Sequence, residues 1–442
     1  MELNPAGASP RTLAGTALTL IHTGLAPTRS ALTGRLGVTR ATVGAVTGEL
    51  RDLGLIVVDT GPPAGEQGGS GQSAGEHDGD EPPDDGPPRA VPQGRPSHRL
   101  LPDPAGPVAL AAQVHPDGFA VALVGLGGVI AARQARDMAV PADPGAALAP
   151  AAAAAAGLLR ASGRRCVGAA VAVPAAVTRP EGRAVRSLYT GWPDGAPVRD
   201  LFAAELARQG VPGPGGGAGR AAGPGRAGGP AHCEAVNDVN AIALAEHRHG
   251  AGRGASHLLV VVAEHRGVGG ALVLGDALYT GSTGLAMEAG HVSVDASGRL
   301  CPCGNRGCLN VETDAVRFLD AAGRVPAPDG VVLDEAVAVL RTGYRADRRV
   351  REAADVITAR VGLGLAGLIN VVNPDRVLLG GLYRELLLVA PGRLREAVAH
   401  GSPWGYGAQI PVEPCTLDDA ALIGAAEVAW QPVLGNPALL RA

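Results

Sequence analysis

A histidine and three cysteines lie close together in the chain: His291, then Cys301-Pro302-Cys303-Gly304-Asn305-Arg306-Gly307-Cys308. Three thiolates and one imidazole complete a tetrahedral zinc shell, and Gly304 and Gly307 permit the tight loop that returns Cys308 beside Cys303. A closed four-ligand shell leaves no position for water. The expected cofactor is therefore a structural Zn2+ held by His291, Cys301, Cys303 and Cys308. Cys166, Cys233 and Cys415 are scattered and read as buried thiols. Six cysteines in 442 residues are too sparse for a disulfide scaffold.

A second chemistry is carried by arginines and threonines near the N-terminus. Leu13, Ala17 and Leu20/Ile21 keep helical spacing, Thr28 is placed to cap a short helix with Ala31 and Leu32, and Gly37 makes a turn. Thr39 is placed to cap a third helix with Val43, Val46 and Leu50 on one face, and Leu55 to Val58 reads as a short strand. This order is that of a winged helix-turn-helix, whose recognition helix enters the major groove of double-stranded DNA. The pattern presents Thr39, Arg40 and Thr42 near the start of that helix, with Arg29 and Arg35 near phosphates. Helical hairpins of this kind also occur as simple packing units, and that alternative stays open.

The elements that must position these residues are interrupted twice. Residues 61 to 93 are rich in Gly, Pro and Ser, with Glu66, Glu76, Asp78, Asp80, Glu81, Asp84 and Asp85 against Arg89, and bury too little apolar area to fold. Gly94-Arg95-Pro96 follows. There Arg95 reads either as the start of a returning strand that reaches a minor groove or as the end of a linker. Beyond Pro107, strand-like runs (119 to 124, 167 to 173, 258 to 263, 271 to 274, 377 to 379) alternate with helical stretches (146 to 161, 350 to 371) in an α/β plan. A second low-complexity stretch at 213 to 230 reads as a disordered surface loop.

Composition narrows the chemistry further. All 38 basic residues are arginine, which excludes Schiff bases, a phosphate-loop lysine and a lysine general base. A net charge of -4 means that any nucleic-acid contact must come from a local patch, built from arginine or neutral donors. The first residues lack a basic segment followed by an apolar run, and no later uncharged apolar run reaches 18 residues. The expectation is a cytoplasmic protein without a membrane span.

Glu288-Ala289-Gly290-His291 followed by Cys-x-Cys-Gly-x-x-Gly-Cys resembles the signature of the ROK family of repressors, open reading frames and sugar kinases. The resemblance extends to Gly94-Arg95-Pro96, Asn373-Pro374-Asp375 with Gly380-Gly381, and Ala421-Leu422-Ile423-Gly424-Ala425-Ala426. It implies an α/β, actin-like and ribonuclease-H-like two-lobed ATPase fold over 107–432, and the low-complexity insert at 213–230 falls outside the resemblance. A winged helix-turn-helix of 1–60 plus 94–103 precedes it, interrupted by the acidic disordered insert 61–93. An N-terminal winged helix marks the family's transcriptional regulators rather than its shorter kinases.

By the same resemblance Asp238, within Asn237-Asp238-Val239-Asn240, matches the kinases' catalytic base, and Asn237, Glu288 and His291 match sugar contacts. Two other sugar positions depart: Tyr189 stands where an asparagine is expected, and Asn310 where a glutamate is expected. The phosphate loops depart further. Gln113-Val114-His115-Pro116-Asp117 replaces Asp-x-Gly-x-Thr, and His265-Arg266-Gly267 replaces Gly-Thr-Gly. Proline lacks an N–H, and histidine brings bulk where glycine is needed. The expectation is no catalytic residue; Asp238 is then a ligand contact or the remnant of a hydrogen-bonded turn. The chain reads as a DNA-binding regulator, a repressor with a sugar or sugar-derivative effector, acting as a homodimer or dimer of dimers on a palindromic operator. The alternative is a ROK sugar kinase phosphorylating a hexose or N-acetylhexosamine.

Overall fold

The computed structural model describes residues 11–59, 98–211, 232–264, 267–327 and 331–441. At the N-terminus stand helices α1 (Leu13–His22), α2 (Arg29–Leu36) and α3 (Arg40–Asp52), then strands β1 (Ile56–Asp59) and β2 (Arg99–Pro102), paired antiparallel with Ile56 opposite Pro102. Thr12, Thr28 and Thr39 each cap a helix by accepting a backbone N–H three residues on. Gly37 ends α2 in the left-handed region, with φ of 64°, where a Cβ would be strained. The first strand ends one residue later than the apolar run indicates. Residues 60–97, including Arg95 and the acidic segment, and 212–231, with the second low-complexity stretch, lie outside the described residues.

The first lobe contains β3 (Val108–His115), β4 (Gly118–Val124), β5 (Ile130–Asp137), α4 (Pro144–Ser162), β6 (Cys166–Val173), the short strands β7 (Ala176–Val177) and β8 (Ala184–Val185), α5 (Val198–Arg208), β9 (Cys233–Asn237) and α6 (Asp238–His249). The second has β10 (His257–Glu264), β11 (Gly267–Leu274), β12 (Ala277–Leu278), α7 (Leu309–Glu312), α8 (Ala315–Ala321), α9 (Val332–Gly343), α10 (Arg348–Val372), β13 (Arg376–Gly381), α11 (Leu382–Val389), α12 (Pro391–His400) and β14 (Val412–Pro414). Helix α13 (Ala420–Gly435) returns to the first lobe and packs on β3 and β6.

The two lobes repeat one topology. Their five-stranded sheets have the orders β5-β4-β3-β6-β9 and β12-β11-β10-β13-β14. In each, three strands run antiparallel and two more add in parallel. The buried strands read as continuous apolar runs, because helices cover both faces. This is the mixed α/β, actin-like fold expected from the sequence. Helix α13 continues past residue 432 to Gly435, with Pro432 inside it.

Among the described residues, the N-terminal unit shares its core with α13. Ala17, Leu18, Ile21, Val43 and Leu50 belong to one buried cluster with Ala426, Trp430 and Val433 of α13. Gly15 lets α1 meet the end of α13: a Cβ there would lie 2.2 Å from the Gly435 carbonyl oxygen. Thr12 donates its N–H to that carbonyl at 3.0 Å. Helices α4 and α10 are long and apolar enough to cross a membrane by composition, yet each buries a face in its own lobe.

Candidate functional site

The four residues with metal-ligand chemistry converge. The Nδ1 of His291 and the Sγ atoms of Cys301, Cys303 and Cys308 all lie within 4.8 Å of one another. Cys301 Sγ is 3.7 Å from His291 Nδ1, and Cys303 Sγ is 3.7 Å from Cys308 Sγ. A tetrahedral ion with Zn–S bonds of about 2.3 Å has ligand–ligand edges of roughly 3.8 Å, so the donor set fits zinc. The loop is closed by local bonds: Cys301 N–H to Asn305 O at 2.8 Å, and Gly304 N–H to Cys301 O at 2.9 Å. Gly304 and Gly307 have φ of 95° and 62°, and a Cβ on Gly307 would collide with the Asp295 carbonyl.

A cavity of about 370 Å³ opens beside this loop, and Asn237, Asp238, Glu288 and His291 all line it. Asn237 caps α6 by accepting the Asn240 N–H at 3.0 Å, and its Nδ2 donates to Ala175 O at 3.2 Å. Its amide is therefore already engaged. Asp238 accepts the Val239 N–H at 2.8 Å and that of Asn237 Nδ2 at 3.1 Å. Burial, followed by the neighbouring Glu264 and Glu288 charges, pushes its carboxyl up to about 7. Glu288 stands exposed at the mouth.

Tyr189 and Asn310 stand together in the same wall. Asn310 Nδ2 donates to the Tyr189 hydroxyl, and Asn310 Oδ1 accepts the Val268 N–H at 2.8 Å. Burial pushes the Tyr189 phenol up to about 12, so its proton stays on. Glu264 also lines the cavity, a carboxylate the sequence motifs did not single out; its position at the end of β10, next to the altered loop, was the available signal. A second cavity of about 220 Å³ between the lobes is lined by Glu264, Asp334, Gly380, Gly381, Arg384, Glu385, Asp418 and Asp419 among others.

Where the resemblance places a first phosphate loop, the chain makes a tight hairpin. His115 pairs with Gly118 across β3 and β4, leaving Pro116 and Asp117 as the two turn residues. Of the second altered loop, His265 and Arg266 lie outside the described residues, while Gly267 begins β11.

At the N-terminus, Arg35, Thr39 and Arg40 are exposed around the start of α3. Thr42 is half-buried, and its hydroxyl lies 2.9 Å from that of Thr39. Arg29 is half-buried with its Nε fully covered, which makes it the least accessible of this group.

Residues 230–431 match the ROK family. Over 216 residues the chain is 33% identical to a glucokinase of Thermotoga maritima, covering 45% of this chain and 66% of that protein. Over 213 residues it is 26% identical to the DNA-binding transcriptional dual regulator NagC of Escherichia coli, covering 46% of this chain and 51% of that protein. The chain thus spans between half and two thirds of the length of these curated relatives. Among solved structures, a ROK family transcriptional regulator, homolog of the E. coli MLC protein, superposes with a TM-score of 0.68 at 19% identity, covering 97% of both chains. That likeness is one of fold.

Proposed function

We propose, from the premise that this chain carries a ROK family domain, that it is a DNA-binding transcriptional repressor whose ROK body senses an effector and has given up phosphoryl transfer. The observation that carries this reading is the N-terminal unit. A capped α3 offers Arg40 and Thr39 outward beside Arg35, on helices whose inner faces are committed to the α13 core. That arrangement supports a winged helix-turn-helix formed by residues 1–60 and 94–103, with α3 as recognition helix. Arg40, Thr39 and Thr42 then face bases and Arg35 and Arg29 face phosphates. Arg95, outside the described residues, is kept as a candidate minor-groove contact. A homodimer placing two such helices about one DNA turn apart calls for a palindromic operator.

Zinc in the four-ligand shell of His291, Cys301, Cys303 and Cys308 brings only structural chemistry, because the shell has no open position. It ties the loop that carries His291 into the cavity wall. Asn237, Asp238, Glu288 and His291 are the proposed effector contacts, and the Tyr189–Asn310 pair narrows the space a pyranose requires. The Pro116–Asp117 turn supports loss of ATP chemistry, since a two-residue turn with a proline offers no cradle of backbone N–H groups.

The test is binding of the full chain to genomic fragments at physiological salt, repeated with hexoses and N-acetylhexosamines. Recovery of a palindromic site supports the reading, and purely non-specific binding sinks it. The kinase reading is favoured by one observation, an Asp238 carboxyl held near neutrality inside the cavity, as a general base requires. ATP turnover on a hexose, lost in Asp238→Asn, would establish it instead.

A further inference from the structure

We propose that the buried cluster of His22, Arg248, His249 and Glu427 is the joint through which the ligand cavity and the N-terminal helical unit are coupled. This rests on reading that unit as the DNA-binding element. Glu427 of α13 takes three donors. His22 Nε2, from the last residue of α1, lies 2.8 Å from its Oε1, His249 Nε2 lies 2.7 Å from the same oxygen, and Arg248 of α6 bonds its Oε2. The side chains of His22 and Glu427 have essentially no exposure.

The backbone fixes the state of His22. Gly127 donates its N–H to His22 Nδ1 at 2.9 Å, so Nδ1 holds a lone pair and the ring proton sits on Nε2, directed at Glu427. His249 packs edge-on against that ring at 5.0 Å. The same tautomer excludes a metal at this triad: His22 Nε2 has no free lone pair, and Arg248 already supplies the positive charge.

Two helices wire the joint to the cavities. The first residue of α6, Asp238, lines the larger cavity, and its last two, Arg248 and His249, hold the joint. Twelve residues at about 1.5 Å each make a rod of roughly 18 Å. Helix α13 starts with Ala420 and Ala421 at the second cavity, carries Glu427 two turns on, and meets Thr12 with its Gly435 carbonyl. The rods touch directly: a Cβ on Gly424 would lie 1.7 Å from the Ala241 carbonyl oxygen. A displacement at Asp238 is therefore delivered to Glu427 and α1, because close-packed helices shift as units and a buried carboxylate with three donors has two arrangements, engaged or broken.

The test uses the full chain without DNA or ligand and reads hydrogen exchange by mass spectrometry in wild type and Glu427→Gln. The expected result is at least a ten-fold rise in exchange across Leu13–His22, together with at least a three-fold change in Asn237–Ala241 at the far end of α6. A response confined to α1 and Leu244–His249, with 237–241 unchanged, reduces the cluster to a local brace and overturns the proposal. Should Glu427→Gln fail to fold by circular dichroism, His249→Gln, which weakens one donor of the three, is read by the same criterion. Since no DNA is present, failure of the wild type to bind any duplex would sink the DNA-binding reading separately.

Discussion

Asn310 and Tyr189, distant in sequence, form one hydrogen-bonded wall of the larger cavity, with Asn310 anchored in turn by the Val268 N–H at 2.8 Å. Gly267 is what lets them meet: a Cβ there would stand 2.9 Å from the Tyr189 ring and 3.0 Å from Asn310 Oδ1. Both side chains stand where the ROK resemblance expects sugar contacts, and the proposed reading is that the pair narrows the space a pyranose requires.

Reversing that replacement should restore sugar affinity. In Tyr189→Asn/Asn310→Glu the ring volume is vacated and a charge-assisted acceptor returns, an interaction of about 1.5–3 kcal/mol. Calorimetry with glucose and N-acetylglucosamine should show binding at least about ten-fold tighter than wild type, since 1.4 kcal/mol is a factor of about ten. Equal affinity in the two proteins would mean that the pair does not set ligand access.

The metal site predicts one zinc per chain. Elemental analysis of protein purified without chelator should find it, and Cys303→Ser should lose it with a fall in melting temperature of several degrees, because the ion would cross-link the locally closed 301–308 loop to His291. Wild-type protein free of metal would remove the site.

Recognition and phosphate contacts separate by salt dependence. Arg40→Ala should weaken operator binding by about 1–3 kcal/mol and relax base preference, whereas Arg35→Ala should weaken all sequences alike and reduce the salt slope by about one. A normal affinity for Arg40→Ala in gel-shift titrations at physiological salt would remove α3 as the recognition helix.

Stability against pH carries opposed contributions from the buried His22 and the half-buried Asp238. Burial holds the His22 imidazole below its ordinary 6.5, with Glu427 opposing and His249 and Arg248 reinforcing the depression. The unfolded chain then takes up a proton below about pH 6.5 that the folded chain refuses. This contribution is present above that pH and lost as pH falls, by at most about 1.4 kcal/mol per unit. Asp238, raised to about 7, acts in reverse: its contribution is present in acid and lost as pH rises from about 4 to 7. Glu427 is not in play in this window, because His22 and Arg248, against the effect of its own burial, hold it well below the usual carboxylate range. In urea denaturation between pH 5 and 6.5 the two contributions should therefore have opposite slopes, so that each variant departs from wild type in its own direction. His22→Gln should lose stability as pH rises, and Asp238→Asn should gain it. Parallel curves for the three proteins would exclude both assignments.

Much of the molecule was legible in its residues. Thr28 and Thr39 marked their helices because a hydroxyl before an apolar period satisfies a free N–H, and the structure has both caps. The alternation of strands and helices after Pro107 marked an α/β plan, the ROK resemblance implied its two lobes, and the cysteine spacing pointed to the ligand set whose atoms lie within 4.8 Å. Such features are local, and the loop geometry between neighbouring ligands is nearly determined by the glycines among them.

What only the tertiary structure decided is which distant residues share a site. No period or spacing joins Tyr189 to Asn310, adds Glu264 to the cavity, or brings His22 to Glu427 across 405 positions. Nor does local pattern reveal that the N-terminal helices share their core with α13. Sequence determines what each side chain can donate, accept or bury. The tautomer of His22, the protonation of Asp238 and the closure of the cavity wall depend instead on partners and desolvation, which exist only once the chain is packed.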